Sequence, residues 1–478
     1  MSGIVWFRQD LRLGDNPALV EAVASGAPVI PLFILDPDAP LGAASRWWLH
    51  ESLAALSDAC AVLGAPLVLR RGRPADVLAA LIAETGADTV YWNRLYEPQA
   101  IARDKDIKSA LSGQGVTVRS FNGSMLAEPW ALQTISGTPY KVFTPFWRAL
   151  SGHAPFAFPL AAPQAIQGGD KNLPSDDLSS WQLQPVAPDW AAGLRAAWVP
   201  GEKSAALRLS DFLDVDVAYY KSARDFIAQD ATSRLAPHLH WGEISSRQIW
   251  AVASMRANAE PAVSSGVSAF LRQIGWREFS THLLYHWPQM VDQAWKPDYA
   301  DFPWRKDEAQ FRAWTQGRTG YPLVDAAMRA LWSTGTMHNR ARMVVASFLV
   351  KHLLIDWRRG AEWFEDTLVD ADLANNRAGW QWVAGSGADA SPYFRIFNPV
   401  LQGERYDPDG TFIRQWLPEL AGLDNCFIHK PWDAPAQVLD DAGIVLGETY
   451  PAPLVNHDQA RARALDALAE MKDQLAEV

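Results

Sequence analysis

Between Thr336 and Trp382 the chain gathers side chains that suit a polar aromatic ligand. Asn339, Arg342 and Met343 stand at i, i+3 and i+4, so a helix puts them on one side. Asp370, Asp372 and Asn376 then precede Trp380 and Trp382, offering carboxylates, an amide and two large π faces within a few turns. Arg342 with Asp370 can be an ordinary buried ion pair, and either Trp alone can be core filling; together the set can hold a cofactor. The Asp370-x-Asp372 step has no His or further carboxylate at ligand spacing, so no metal site is expected.

These residues need elements to position them. Val345, Phe348, Leu349 and Leu353 recur at three- and four-residue steps, which predicts a helix with one packed side. Upstream, short apolar runs alternate with helical patterns. Ile4–Phe7, Val29–Leu35, Leu67–Leu69, Thr89–Trp92 and Val116–Phe121 read as strands; Pro17–Ser25, Ser45–Leu63, Pro74–Thr85 and Glu97–Leu111 read as helices. That order predicts a doubly wound parallel sheet over residues 1–124. No G-x-G-x-x-G follows the first strand, so a dinucleotide site is not expected there. Residues 125–199 are rich in Pro, Gly, Ser and Ala and read as an interdomain linker, within which Pro139–Trp147 is too aromatic to run free. From residue 200 to 478 the pattern is helical, giving a large all-α domain that ends in a charged helix at Val478.

Bulk properties agree. The 478 residues are 49% hydrophobic, enough for large cores. No run has the length of a membrane span or the form of a signal peptide, and only Cys60 and Cys426 occur, so a cytoplasmic protein in a reducing compartment is expected. The formal charge of -11 repels nucleic acid on average. Any DNA binding must therefore be local, with Arg224, Arg340, Arg342, Lys351, Arg358, Arg359 and Arg395 as candidates beside the reading that they are solvated helix faces. The 23 Trp exceed what packing requires.

Four motifs in one order, Met337-His338-Asn339-Arg340, Asp356-Trp357-Arg358, Asp370-x-Asp372-x-x-x-Asn376 and Gly379-Trp380-Gln381-Trp382, resemble the FAD-binding domain of the DNA photolyase and cryptochrome family. The resemblance runs over nearly the whole chain, weakening between about Met125 and Val199, and is most like a bacterial enzyme for cyclobutane pyrimidine dimers. It implies FAD held by Tyr220, Thr232, Ser233, Arg234, Leu235, Ala236, Phe270, Arg277, Arg342, Asp370, Ala371, Asp372 and Asn376. Thr232 and Ser233 precede a helix, where backbone donors and the dipole favour a phosphate, although such residues are more often plain N-caps. Trp380, Trp357 and Trp304 would relay electrons, and Asn376 would hydrogen-bond near the flavin N5. Gln273, Trp276, Asn339, Met343 and Trp382 would meet the dimer, with Arg224, Arg340, Arg395 and Gln402 on the DNA strand.

The resemblance also implies an antenna pigment on the α/β domain, methenyltetrahydrofolate rather than a deazaflavin, with Trp47, Trp48 and Glu51 as its residues or, equally, as packing. Gln273 stands where dimer enzymes usually have Glu and (6-4) photolyases have Gln. Asn339 and Met343 stand where (6-4) enzymes place histidines, which keeps the dimer as the expected lesion. Phe270 replaces a frequent Trp. Plant-type cryptochromes usually lose the Trp at position 276 and carry a long tail, so light-driven repair of UV-damaged DNA by a monomer is expected over signalling.

Overall fold

In the computed structural model, which describes residues 2–39, 41–170, 173–389 and 394–476, the chain divides into two compact units. The first contains residues 1–221, 232–288 and 369–374; the second contains 222–231, 289–368 and 375–478.

The first unit is built on five parallel strands, β1 (Gly3–Phe7), β2 (Val29–Leu35), β3 (Val68–Arg71), β4 (Thr89–Asn93) and β5 (Thr117–Phe121), in the order β3-β2-β1-β4-β5. Each crossover carries a helix: α1 (Pro17–Ala24), α2 (Ala43–Val62), α3 (Pro74–Thr85) and α4 (Pro98–Gly113). Alternating side chains serve opposite faces. Val5, Phe7, Val29, Phe33 and Leu69 pack with α1 and α2, whereas Ile4, Trp6, Ile30, Leu32, Val90 and Trp92 pack with Leu78 and Leu81 of α3 and Ile107 and Leu111 of α4. The sheet is therefore covered on both faces, as a doubly wound α/β domain requires.

Residues 125–199 do not run free. Trp181, Leu183, Leu194 and Trp198 join the α2 face of the α/β core. The aromatic run at Pro139–Trp147 forms the helix Phe143–Gly152 and docks on the 23-residue helix Ser264–His286: the Phe143 ring lies 3.6 Å from that of Trp276, within 7° of parallel, and Phe146 packs on Phe279 at 5.1 Å.

The second unit is helical. Its principal helices are Pro322–Thr334, Asn339–Ser347, Trp357–Thr367, Leu373–Ala384, Pro399–Tyr406 and His457–Ala476. Asn339–Ser347 is capped by Nδ1 of His338, which accepts the Arg340 N–H at 3.1 Å, and it runs into one π-helical turn, Phe348–His352. Val345, Phe348, Leu349 and Leu353 are all 0% exposed, so the packed side predicted for this stretch is the core. No described helix is long and apolar enough to cross a membrane, and no described cluster of His, Cys, Asp and Glu could hold a metal.

Candidate functional site

In the first unit, Tyr220 and Phe270 form an aromatic corner with Phe212: Phe270 lies 4.7 Å and Tyr220 5.4 Å from it, and Tyr220 meets Phe270 edge-on at 5.9 Å. The helix expected to follow the Thr232–Ala236 stretch begins at Ala236, with Leu235 as an N-cap that makes no side-chain bond. Arg234 takes φ +51°, the left-handed region, and so holds off the helix. Thr232 and Ser233 are thus not caps. Their side chains are half-buried and make no hydrogen bond among the described residues, which leaves two hydroxyls for a ligand. The Arg234 guanidinium rests on Trp198 at 4.5 Å and donates to Ala197 O.

Asp370 and Asp372 frame a tight turn, in which the Asp372 N–H donates to Asp370 O at 2.7 Å. Both carboxylates face His240, a buried residue that sequence reasoning missed. Burial pushes the His240 pKa down, and the two carboxylates pull it up. Arg277 donates to Ser124 O and Leu239 O, and the buried Glu278 beside it is pushed up to about 7 by desolvation. Gln273 and Trp276 are half-buried on the same helix. The Gln273 amide donates back to Ala269 O at 3.4 Å, and one face of Trp276 is covered by Phe143.

In the second unit, Asn339 is exposed, with its amide 3.9 Å from Met343 Sδ, and Arg342 Nε donates to Met337 O at 2.8 Å. Asn376 directs its amide NH2 to Ala361 O (2.9 Å) and Glu365 (3.2 Å); two acceptors fix that orientation, so the carbonyl oxygen is what it offers a ligand. Arg377 holds Glu365 with two contacts of 2.8 Å.

Trp380 is buried against Phe364 (5.1 Å) and Trp314 (6.2 Å), and its Nε1 has no acceptor. Trp357 opens its helix in full burial under the Arg358 guanidinium, while Trp304 is half-buried on Phe302 at 4.4 Å. No two of these three indoles are in ring contact among the described residues. Trp382 is half-buried near its helix end.

Of the residues expected on DNA, Arg340, Arg395 and Gln402 line one groove of about 410 Å³. Arg405, Leu401 and Tyr406, which the sequence reading passed over, line it too. Arg340 bonds Asp225 at 3.0 Å and lies 4.3 Å above the Tyr406 ring, with Arg405 at 5.2 Å from the same ring. Arg224 lies beside His338, whose pKa burial lowers to about 4. Three other basic candidates are committed elsewhere: Lys351 is buried, Arg358 pairs with Asp356 at 2.6 Å, and Arg359 pairs with Glu308.

Trp47 and Trp48 are core residues. Trp48 is 0% exposed, packs edge-on against Trp198 and His238, and donates to the buried Glu243 at 3.0 Å. Glu51 accepts the Gln184 amide. A pigment could stack on these indoles only if the core opened.

Two family models match: the DNA photolyase model over residues 3–164 and the FAD binding domain of DNA photolyase over residues 270–470. A deoxyribodipyrimidine photo-lyase from Agrobacterium fabrum is 53% identical over 98% of both chains. Cryptochrome-1 of Arabidopsis thaliana is 41% identical over 98% of this chain and 70% of that protein. The crystal structure of a bacterial class III photolyase from Agrobacterium tumefaciens superposes with a TM-score of 0.96 at 53% identity, covering 99% of this chain and 98% of that one. With both models matched and likeness running end to end, this chain belongs to the DNA photolyase and cryptochrome family.

Proposed function

We propose that this protein is a deoxyribodipyrimidine photo-lyase that uses light to split cyclobutane pyrimidine dimers in DNA. The observation that carries the reading is the 53% identity to a deoxyribodipyrimidine photo-lyase over 98% of both chains; the cryptochrome relatives are more distant. Asn339 and Met343, in place of paired histidines, favour the dimer over the (6-4) lesion.

The residues fit FAD. Uncommitted hydroxyls at Thr232 and Ser233 suit a pyrophosphate, the corner of Tyr220 and Phe270 gives apolar surface, and Asn376 presents a carbonyl oxygen. Arg277, Arg342, Asp370 and Asp372 supply charge around the ring, with His240 kept neutral by burial. When bound, reduced FAD supplies the photoexcited electron that opens the cyclobutane ring and recovers it afterwards. The side chains do the rest. Arg340, Arg395 and Gln402 grip the strand, and Trp276 and Trp382 stack on the dimer. Photolyases as a class take the damaged bases out of the duplex. Trp380, Trp357 and Trp304 pass electrons inward from the surface. Domain limits of 1–124, 125–199 and 200–478 belong to this reading, as do a monomer and an antenna pigment, a folate in preference to a deazaflavin.

The test is direct. The purified protein should show a flavin absorption spectrum and remove dimers from a defined oligonucleotide in light but not in darkness. A flavin-loaded protein that leaves the dimers intact in light overturns the reading.

A further inference from the structure

The helix Leu373–Ala384 ends in the interior, and the last carbonyls of a helix have no partner within it. Two lysines take them here. Lys351 Nζ donates to Ala384 O at 2.6 Å and Lys296 Nζ to Gly385 O at 3.0 Å. Lys351 is 1% exposed, its ammonium sits 3.0 Å from the centroid of Phe394, and the charge that bears on it is the repulsive one of Lys296. A buried ammonium without a carboxylate is costly, and an apolar side chain of equal length would suit a site beside Leu349 and Val350. What the Nζ donor does that a methyl group cannot is satisfy Ala384 O. The π-helical turn Phe348–His352 carries Lys351, and such turns recur at functional sites.

The same helix end is knitted by Gln381, which is fully buried. Its amide donates to Met290 O (2.8 Å) and Gln293 O (2.9 Å) and accepts the Trp295 N–H (2.7 Å). The N–H groups of Gly385 and Gly387 both return to Gln381 O at 3.0 Å. Trp382 stands in this last turn.

We propose that Lys351, with Lys296, is a positioning residue for Trp382: the two side-chain Nζ donors close the final turn of the helix and hold the indole in one orientation for the pyrimidine dimer. The proposal rests on the stacking role given to Trp382 above. If the turn frays, the chain that carries the indole is freed over about 5.4 Å of helix rise, enough to remove it from a stack.

Lys351→Met tests this in the flavin-loaded protein, with a duplex carrying one thymine dimer and the same duplex undamaged as probes. Amide exchange at Gly385 and Gly387 should quicken. Preference for the damaged duplex should fall by roughly tenfold, the range of one lost base stack, with undamaged binding unchanged. In a Trp382→Ala background Lys351→Met should change the preference no further, and Lys351→Gln, which keeps an N–H donor, should restore part of it. Lys296→Met gives the same readouts at a half-buried site should Lys351→Met fail to fold. Unaltered exchange in both lysine variants overturns the positioning role. A dimer preference indifferent to Trp382→Ala overturns the stacking role beneath it, and with that the purpose assigned to the lysines.

Discussion

If Trp380 is the inner indole of the proposed relay, replacing it with Phe should separate reduction of the cofactor from repair. Trp380 is 2% exposed, so the substitution acts on the core. Its Nε1 bonds to nothing, so no hydrogen bond is lost. What is lost is the part of the indole that fills the space beside Gly360, where an added Cβ would come within 2.1 Å of the ring. Full truncation of a large buried aromatic costs about 3–5 kcal/mol; a retained ring, still packed on Phe364 and Trp314, reduces that to about 1–2 kcal/mol. Domains of this kind carry about 5–15 kcal/mol, so the variant folds. Two light assays then decide. Photoreduction of the bound flavin should stop, because the inner indole of the relay is gone. Repair by protein reduced chemically beforehand should persist, because repair does not draw on the relay. Photoreduction at the unmutated rate would refute the relay, and a variant that lost flavin and melted far lower would show Trp380 to be a packing residue first.

Asp370→Ala should weaken flavin retention, since it strips a carboxylate from the turn that faces His240; a variant that purifies with a full complement of reducible FAD contradicts that. Arg395→Gln and Arg405→Gln should each make the fall of log affinity with log salt shallower by about 0.9, one phosphate contact on duplex DNA, and slopes unchanged in both would remove the groove from the interface. Glu278 has a folded pKa of about 7 against an ordinary 4.5. The native state therefore keeps a proton that the unfolded chain releases, and the stability from this group is full below pH 4.5 and lost as pH rises through 7. Glu278→Gln, which keeps an oxygen for the Leu126 N–H, should gain up to roughly 3 kcal/mol above pH 7 and nothing below pH 4.5. Denaturant titrations at both pH values that showed equal differences would refute this.

The α/β sheet was legible because period-two patterning and short crossovers report on the same core. The packing of residues 125–199 was not, because Trp181, Leu183, Leu194 and Trp198 contribute one at a time between prolines and carry no period. The left-handed backbone of Arg234, just before the helix at Ala236, was not legible, because no residue type there announces it. Trp47 and Trp48 were ambiguous by nature, since an indole that can stack on a ligand can equally fill a core. Lys351 was read as a surface cation although it stands inside Phe348-Leu349-Val350-x-x-Leu353-Leu354; that setting was the signal of burial. Arg405 was not singled out, because next to Glu404 nothing in its spacing sets it apart from other charged helix residues.

The stacking of Phe143 on Trp276 bears on recognition as well as on docking. A tryptophan ordered only on contact with its ligand surrenders rotational freedom at that moment, typically about 0.5–1.5 kcal/mol for an immobilised side chain. Trp276 surrenders it when the chain folds. With one face clamped parallel to Phe143, the indole holds a single fixed plane, so in the stacking role proposed for Trp276 the aromatic run that looked misplaced in a linker is its backing plate.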